Sequence, residues 1–300
     1  MSPRSPRRRR APLCAAVAAA VLVSGTAATT VYVKAQAHDA TALVSQVAAP
    51  SEGGTPTVDR DAQLAEAVAD AVAGHDGEVS VAVLDVAGGA RAAYASGDGT
   101  YDTASIVKVD VLAALLLRAQ DEGRELTARE KAYATTMIEN SDNAATTALW
   151  DVIGRAAGLD AANRRLGLSG TSGGDGSLWG LTQTTAQDQL TLLQQVFGVA
   201  DDPVLSADSR GYVQGLMANV ESDQTWGVSA AGDGDGSALK NGWLRRSTTG
   251  LWDINSVGRV TVGGTDCLVA VVSNGSTTKE TGIALVEAVA AAAAAVVSGS

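Results

Sequence analysis

The segment Tyr101–Leu117, YDTASIVKVDVLAALLL, limits the possible folds more than any other stretch of the chain. Between Ile106 and Leu117, ten of twelve side chains are apolar, and they leave no polar face of helical period. A helix that is apolar all round is a buried helix, so other elements must cover it on every side. A lysine inside such a helix then needs a reason. Lys108 follows Ser105 by three residues, and residues i and i+3 are neighbours on one helix face. If Ser105 opens the helix, the free N–H groups and the positive dipole end lie beside it. That setting favours an alkoxide and helps hold a developing oxyanion. Burial lowers the affinity of Lys108 for its proton, and a neutral amine beside a serine can serve as its general base. The plainer reading is that Ser105 caps the helix while Lys108 carries its charge out to water. The SxxK spacing alone does not separate the two. Asp110 also interrupts the run, and nothing in the sequence assigns it a role.

Residue scarcity narrows the chemistry. The two histidines, His38 and His75, both precede Ser105, so a serine nucleophile here must take its base from a lysine or a carboxylate. Gly170-Thr171-Ser172-Gly173-Gly174 matches GxSxG, but that motif needs a preceding strand, a following helix and a later histidine. The stretch reads instead as a flexible loop. Cys267 lies in a strand-like run, has no disulfide partner once the N-terminal segment with Cys14 is set aside, and reads as a small buried hydrophobe. No His/Cys cluster exists, so neither a metal nor a cofactor is expected.

The rest of the chain supplies the covering layers. Asp61–Ala73 has helical spacing, with Leu64, Val68 and Val72 on one face. Glu78–Val86 and the ARAAYASG run after Gly88-Gly89 read as a hairpin. Helical patterns follow from Thr127 to Gly158, broken at 140–143, then over Thr185–Val199 and Ser206–Ala218. Strand-like runs lie around Leu239–Leu244, Gly250–Asn255 and Asp266–Ser273, and Thr278–Val297 is an alanine-rich closing helix. The expected fold is an α+β sandwich. Its antiparallel sheet of about five strands comes from both chain ends and is flanked by helices, and the middle of the chain makes a helical lobe. A site between the two is expected.

Six of the 22 basic residues precede Asp39, which leaves 16 basic against 33 acidic residues from there on. An acidic domain repels phosphate backbones, so nucleic acid is not an expected partner. Ala11–Val33 holds 23 uncharged residues directly after an arginine cluster, the pattern of an export signal or a membrane anchor. Residues 1–37 are therefore read as signal peptide or signal anchor, 38–58 as a flexible linker, and 59–300 as the folded domain. An exported, monomeric protein follows, at the cell envelope or beyond it, with residues 11–33 able to hold it to the membrane.

Two further motifs join Ser105 and Lys108. Ser141-Asp142-Asn143 sits at the break between helical runs, and Lys240-Asn241-Gly242 sits on a strand-like run. Alone, the first would be a helix cap and the second a strand end. SxxK, SDN and KTG in this order form the signature of class A β-lactamases and penicillin-binding proteins. From about residue 61 onward the chain resembles a class A β-lactamase-like serine hydrolase. The hairpin and approach VSVAVLDVAGGARAAYASGDGTYDTAS and the later helix TQTTAQDQLTLLQQV resemble the family as well. The resemblance implies Ser105 as nucleophile, Lys108 as its base partner and Ser141 as proton relay to the leaving nitrogen. It implies Asn143 as holder of the substrate amide and Lys240 as a source of positive potential that steers a carboxylate and lowers the Lys108 pKa. The backbone N–H groups of Ser105 and Trp243 would form the oxyanion hole. Gly242 would let a substrate backbone approach its strand closely.

Three departures shape the expectation. Only 36 residues separate Ser105 from Ser141, so the helical lobe is trimmed. Asn241 stands where the family has a hydroxyl that meets the substrate carboxylate; its amide can still donate. Arg245 and Arg246 nearby read as surface charges. The family's hydrolytic glutamate has no counterpart, since 156–185 contains no glutamate. Asp175, in DGSL with Trp179 in place of the family's asparagine, and Glu139, two residues before Ser141, are the substitute carboxylates within the chain's reach. The expected protein acylates Ser105 with a β-lactam or a D-amino-acid peptide-like, peptidoglycan-derived amide and deacylates slowly. The alternative is a non-catalytic cell-wall ligand-binding module on the same fold.

Overall fold

The computed structural model describes residues 58–234 and 236–299. The export or anchor segment 1–37 and all of the 38–58 linker except Val58 lie outside these residues. In chain order the elements are α1 (Arg60–Val72), β1 (Val79–Asp85), β2 (Arg91–Ala95), β3 (Tyr101–Asp102), α2 (Val107–Asp121), α3 (Ala128–Glu139), α4 (Asn143–Ile153), α5 (Arg155–Leu166), β4 (Gln183–Thr184), α6 (Ala186–Phe197), α7 (Ala207–Met217), β5 (Ala238–Arg245), β6 (Trp252–Val262), β7 (Thr265–Ser273) and α8 (Lys279–Ser298).

Five strands form one antiparallel sheet in the order β2-β1-β7-β6-β5, which joins the two chain ends. Its central strands are apolar on both faces because both faces are covered. Side chains on a strand alternate between faces. Val79, Val81, Val83, Val269 and Val271 pack with Leu64 and Val68 of α1 and with Leu285, Val286 and Val289 of α8. Ala82, Leu84, Leu268, Ala270 and Val272 face the other way and share a core with α2 and α6. The α+β architecture with strands from both chain ends is thus the observed one. Among the described residues, α8 alone is long and apolar enough to cross a membrane, and its apolar side is spent on this core.

The apolar helix α2 is the centre of the helical lobe, with twelve of its fifteen residues buried, Lys108 and Asp110 among them. Around it stand α3, which opens with a Thr127–Glu130 capping box, then α4, α5 and α7. The helical pattern does not stop at Gly158. It runs on to Leu166, because Gly154 in the left-handed region ends α4 and α5 starts at once. Gly158 is needed inside α5, where a Cβ would lie 1.7 Å from the Ile153 carbonyl oxygen. Asp110 has no exposed surface; its Oδ2 accepts from Gln189 Nε2 at 3.3 Å, and burial pushes its carboxyl up to about 7.

The short pair β3–β4 carries no hydrophobic signal in the sequence, yet it ties the approach to Ser105 to the loop at 167–182. That loop is not free, contrary to its glycine-rich composition. Thr171 Oγ1 donates to Asp188 Oδ2 (2.7 Å), Gly173 N to Asp160 Oδ1 (2.7 Å) and Gly174 N to Thr182 Oγ1 (3.1 Å).

Candidate active site

Ser105 lies in a 3₁₀ turn, Ala104–Ile106, that runs directly into α2, so the i, i+3 relation to Lys108 survives although α2 proper begins at Val107. The turn is anchored from three sides. Thr103 N donates to Thr182 O (2.8 Å). The buried Asn255 on β6 donates through Nδ2 to the carbonyls of Asp102 (2.9 Å) and Thr103 (3.0 Å). The edge strand β5 presses against it at Gly242. Ala104 is held at φ 47°, a left-handed conformation that costs an L-residue roughly 1–2 kcal/mol.

Lys108 has no exposed surface. Its Nζ stands 2.9 Å from Ser105 Oγ, 2.7 Å from Ser141 O, 2.9 Å from Ser141 Oγ and 2.9 Å from Asn143 Oδ1. Burial, and after it the nearby Lys240, lower its pKa to about 6 against an opposing pull from Asp142. A drop of that size disfavours the ammonium by about 6 kcal/mol. At neutral pH the amine then has two N–H donors and one lone pair. The donors fit the carbonyls of Ser141 and Asn143, and the lone pair is left for a hydroxyl.

Ser141 and Asn143 reach this point through a helix boundary. Asp142 caps α4, its Oδ1 accepting from Ala145 N at 2.6 Å, and Ser141 takes φ 55° between α3 and α4. The cap and the lysine contacts are thus two aspects of one turn.

The third motif behaves differently. Lys240 is fully enclosed; its Nζ donates to Asn241 O (3.1 Å) and lies 3.4 Å from Gln224 Oε1, and burial lowers its pKa to about 7. The substrate-contact role expected of the Asn241 side chain is corrected by its direction. Its Nδ2 donates to Gln224 O and Trp226 O, both at 2.8 Å, and its Oδ1 accepts from Ser256 Oγ at 2.6 Å. Strand alternation is the reason: Asn241 shares the sheet face of Leu239, toward α8, while Lys240 and Gly242 face the helical lobe. Gly242 is also explained differently. A Cβ there would lie 2.7 Å from Thr103 O and 2.8 Å from Ser105 N, so its missing side chain admits the nucleophile turn itself. The Trp243 indole packs edge-on to Trp226, with centroids 6.0 Å apart, under Lys279 Nζ at 4.3 Å.

A cavity of about 560 Å³ opens beside Ser105, within the size range of small-molecule sites. Asn143, Leu178, Trp179, Trp243 and Arg245 are among the residues that line it. Arg246 lines it too, so the two arginines are not plain surface charges. Arg246 forms an ion pair with Asp102, and Arg245 Nε donates to Gly250 O at 3.1 Å. Neither Asp175 nor Glu139 lines the cavity. Asp175 is exposed, and Glu139 closes α3, its carbonyl accepting from Glu221 N. No carboxylate stands among the lining residues. Among the described residues, no group of three or more His, Cys, Asp or Glu side chains gathers that could hold a metal ion.

Two contributors carry no local sequence signal. Asn255 fixes the nucleophile turn across 150 residues of chain. Trp179 sets its ring with the centroid 5.1 Å from Lys108 Nζ and donates through Nε1 to Thr147 Oγ1 at 3.2 Å.

The geometry has counterparts. The model of the β-lactamase enzyme family matches residues 63–132 and 117–297. No curated protein matches the chain. Among solved structures, a class A β-lactamase from Bacteroides cellulosilyticus superposes with a TM-score of 0.69 at 14% identity, covering 81% of this chain and 100% of its own. The TLA-3 extended-spectrum β-lactamase gives 0.68 at 16%, covering 77% and 97%. A PBP-A variant solved as an acyl-enzyme with penicillin G gives 0.64 at 21%, covering 77% and 94%. The chain belongs to the β-lactamase enzyme family. By family and fold it is a β-lactamase-like serine hydrolase.

Proposed function

We propose that this protein is an exported serine hydrolase that forms an ester on Ser105 with a β-lactam or a D-amino-acid peptide-like amide and releases it slowly. The observation that carries the reading is the 2.9 Å separation between Ser105 Oγ and the buried, largely neutral Lys108 amine. The amine takes the hydroxyl proton as Oγ attacks the substrate carbonyl carbon. The carbonyl electron pair moves onto oxygen, where the amides of Ser105 and Trp243 receive it. A Cβ on Gly242 would lie 2.8 Å from Ser105 N, so the strand that carries Trp243 runs directly beside the Ser105 turn. Collapse of the intermediate breaks the C–N bond, and the leaving nitrogen takes its proton from Lys108 through the Ser141 hydroxyl, 2.9 Å from Nζ. Asn143 lines the cavity and holds the substrate amide.

Slow release is supported by the lack of any glutamate in 156–185, where the family carries its hydrolytic base, since a positioned general base is worth about 10²–10⁴-fold in such a step. A pure binding module has no need of a serine and a desolvated amine at hydrogen-bond distance. Export is supported by the arginine cluster and the uncharged run that follows it.

Incubation with a fluorescent penicillin, followed by intact-mass measurement over hours, tests the reading. A persistent adduct of one penicillin mass on the wild type, absent from Ser105→Ala, is the expected result. No adduct on the wild type, or an adduct retained by the alanine variant, overturns it.

A further inference from the structure

We propose that Trp179 is a positioning residue whose indole shuts water away from the Lys108 amine, so that the ester on Ser105 persists. The inference rests on the acyl-enzyme reading above and assigns the cause of its long life to one side chain.

The amine is enclosed on two sides by different materials. Oxygens of Ser105, Ser141 and Asn143 stand on one side of it, at 2.7–2.9 Å. The Trp179 ring covers another side, with its centroid 5.1 Å away. The ring is held in place. Its Nε1 donates to Thr147 Oγ1 (3.2 Å), and its backbone opens a 3₁₀ turn closed by Leu181 N to Leu178 O (2.9 Å) and Thr182 N to Trp179 O (3.1 Å). That turn lies directly against the nucleophile's own: a Cβ on Gly180 would stand 3.8 Å from Ala104 Cα.

Hydrolysis of the ester needs a water whose oxygen attacks the ester carbonyl carbon while a base takes its proton. The carbonyl carbon–Oγ bond then breaks, the proton passes to Oγ, and a carboxylic acid leaves. Lys108 Nζ, 2.9 Å from Ser105 Oγ, is the group placed to take that proton. A water it could use must come within about 3 Å of Nζ. A water confined there also needs two to four polar partners, and an indole face offers it no strong one. The same ring leaves acylation untouched, because the Ser105 hydroxyl already sits on the oxygen side of the amine.

The test compares wild type, Trp179→Ala, Trp179→Phe and Thr147→Val. Each is acylated with a fluorescent penicillin, freed of excess reagent and followed by intact mass, with acylation rates and thermal melts measured alongside. The expected ester lifetime falls about tenfold or more in Trp179→Ala while the acylation rate changes less than about threefold. Trp179→Phe, which keeps a flat apolar cover, restores most of the lifetime. Thr147→Val lies off the cavity and merely frees the ring; it shortens the lifetime by about two- to threefold. It serves where Trp179→Ala does not fold. Lifetimes equal to wild type in both Trp179→Ala and Thr147→Val overturn the proposal. So does a Trp179→Phe ester as short-lived as the alanine variant's. A wild type that takes up no penicillin overturns the acyl-enzyme reading itself, an outcome distinct from labelled variants of unchanged lifetime.

Discussion

Lys108 and Lys240 are both lysines without exposed surface, yet the helix wall and the strand wall of the cleft use them on different terms. On the helix wall the motif gathers at one place: four oxygens of Ser105, Ser141 and Asn143 stand within 2.9 Å of Lys108 Nζ. On the strand wall the motif is absorbed by the scaffold. Lys240 is left with two long contacts, Asn241 staples the 224–226 backbone to Ser256, and Gly242 makes room for the Ser105 turn. The contrast teaches that one wall of the cleft gathers its motif side chains around a single amine, while the other spends them on holding the scaffold in place.

Five tests press on that division. The largest effect belongs to the helix wall: Lys108→Met slows acylation by about 10²–10⁴-fold, read from the rate of penicillin labelling. On the strand wall, Gly242→Ala drives a methyl into the backbone of Thr103 and Ser105. It is expected to slow labelling by about 10²-fold, because a shift of about 1 Å in a reacting group costs that much. A melting temperature and labelling rate equal to wild type would show that the close approach is unimportant. Third, with the neutral amine as the proposed base, the acylation rate is expected to rise with pH through about 6 and level above it. Lys240→Met removes a positive neighbour, which makes the ammonium easier to form and moves the midpoint to higher pH. Rate profiles from pH 5 to 8 decide this, and an unmoved midpoint would separate the two lysines. Fourth, Asn241→Ala leaves buried carbonyls unpaired and is expected to cost about 1–3 kcal/mol of stability in urea titration. The labelling rate per folded molecule should stay within about threefold; the reverse pattern would restore a substrate contact. Smallest of all, Glu139→Gln and Asp175→Asn should leave the ester lifetime within about twofold of wild type, since neither carboxyl lines the cavity.

Much of this was legible in the chain. Helical and strand periodicity placed the main elements, because each buries a continuous face. Ser105 and Lys108 were legible from their helical i, i+3 spacing, and Ser141 and Asn143 from the resemblance of the ordered motifs to the family signature. Asn241 was misread for want of one step: alternation sends residues 240 and 241 to opposite faces, and Leu239 already marked which face looks toward α8. Trp179 and Asn255 had no such marker. Their partners lie far away in the chain, Asn255 about 150 residues from the carbonyls it holds, and a single tryptophan in a glycine-rich stretch has no period to reveal its partner. The β3–β4 pair, two residues a side, is likewise too short for a pattern.

Ala104 and Ser141 both hold backbone angles that their own sequences do not favour. Neither turn would keep that shape in a detached peptide; the surrounding sheet and helices impose it. The proposed reactivity of Ser105 would then belong to the finished molecule and not to any fragment, and a stoichiometric penicillin label on it would count how many chains in a preparation have completed folding.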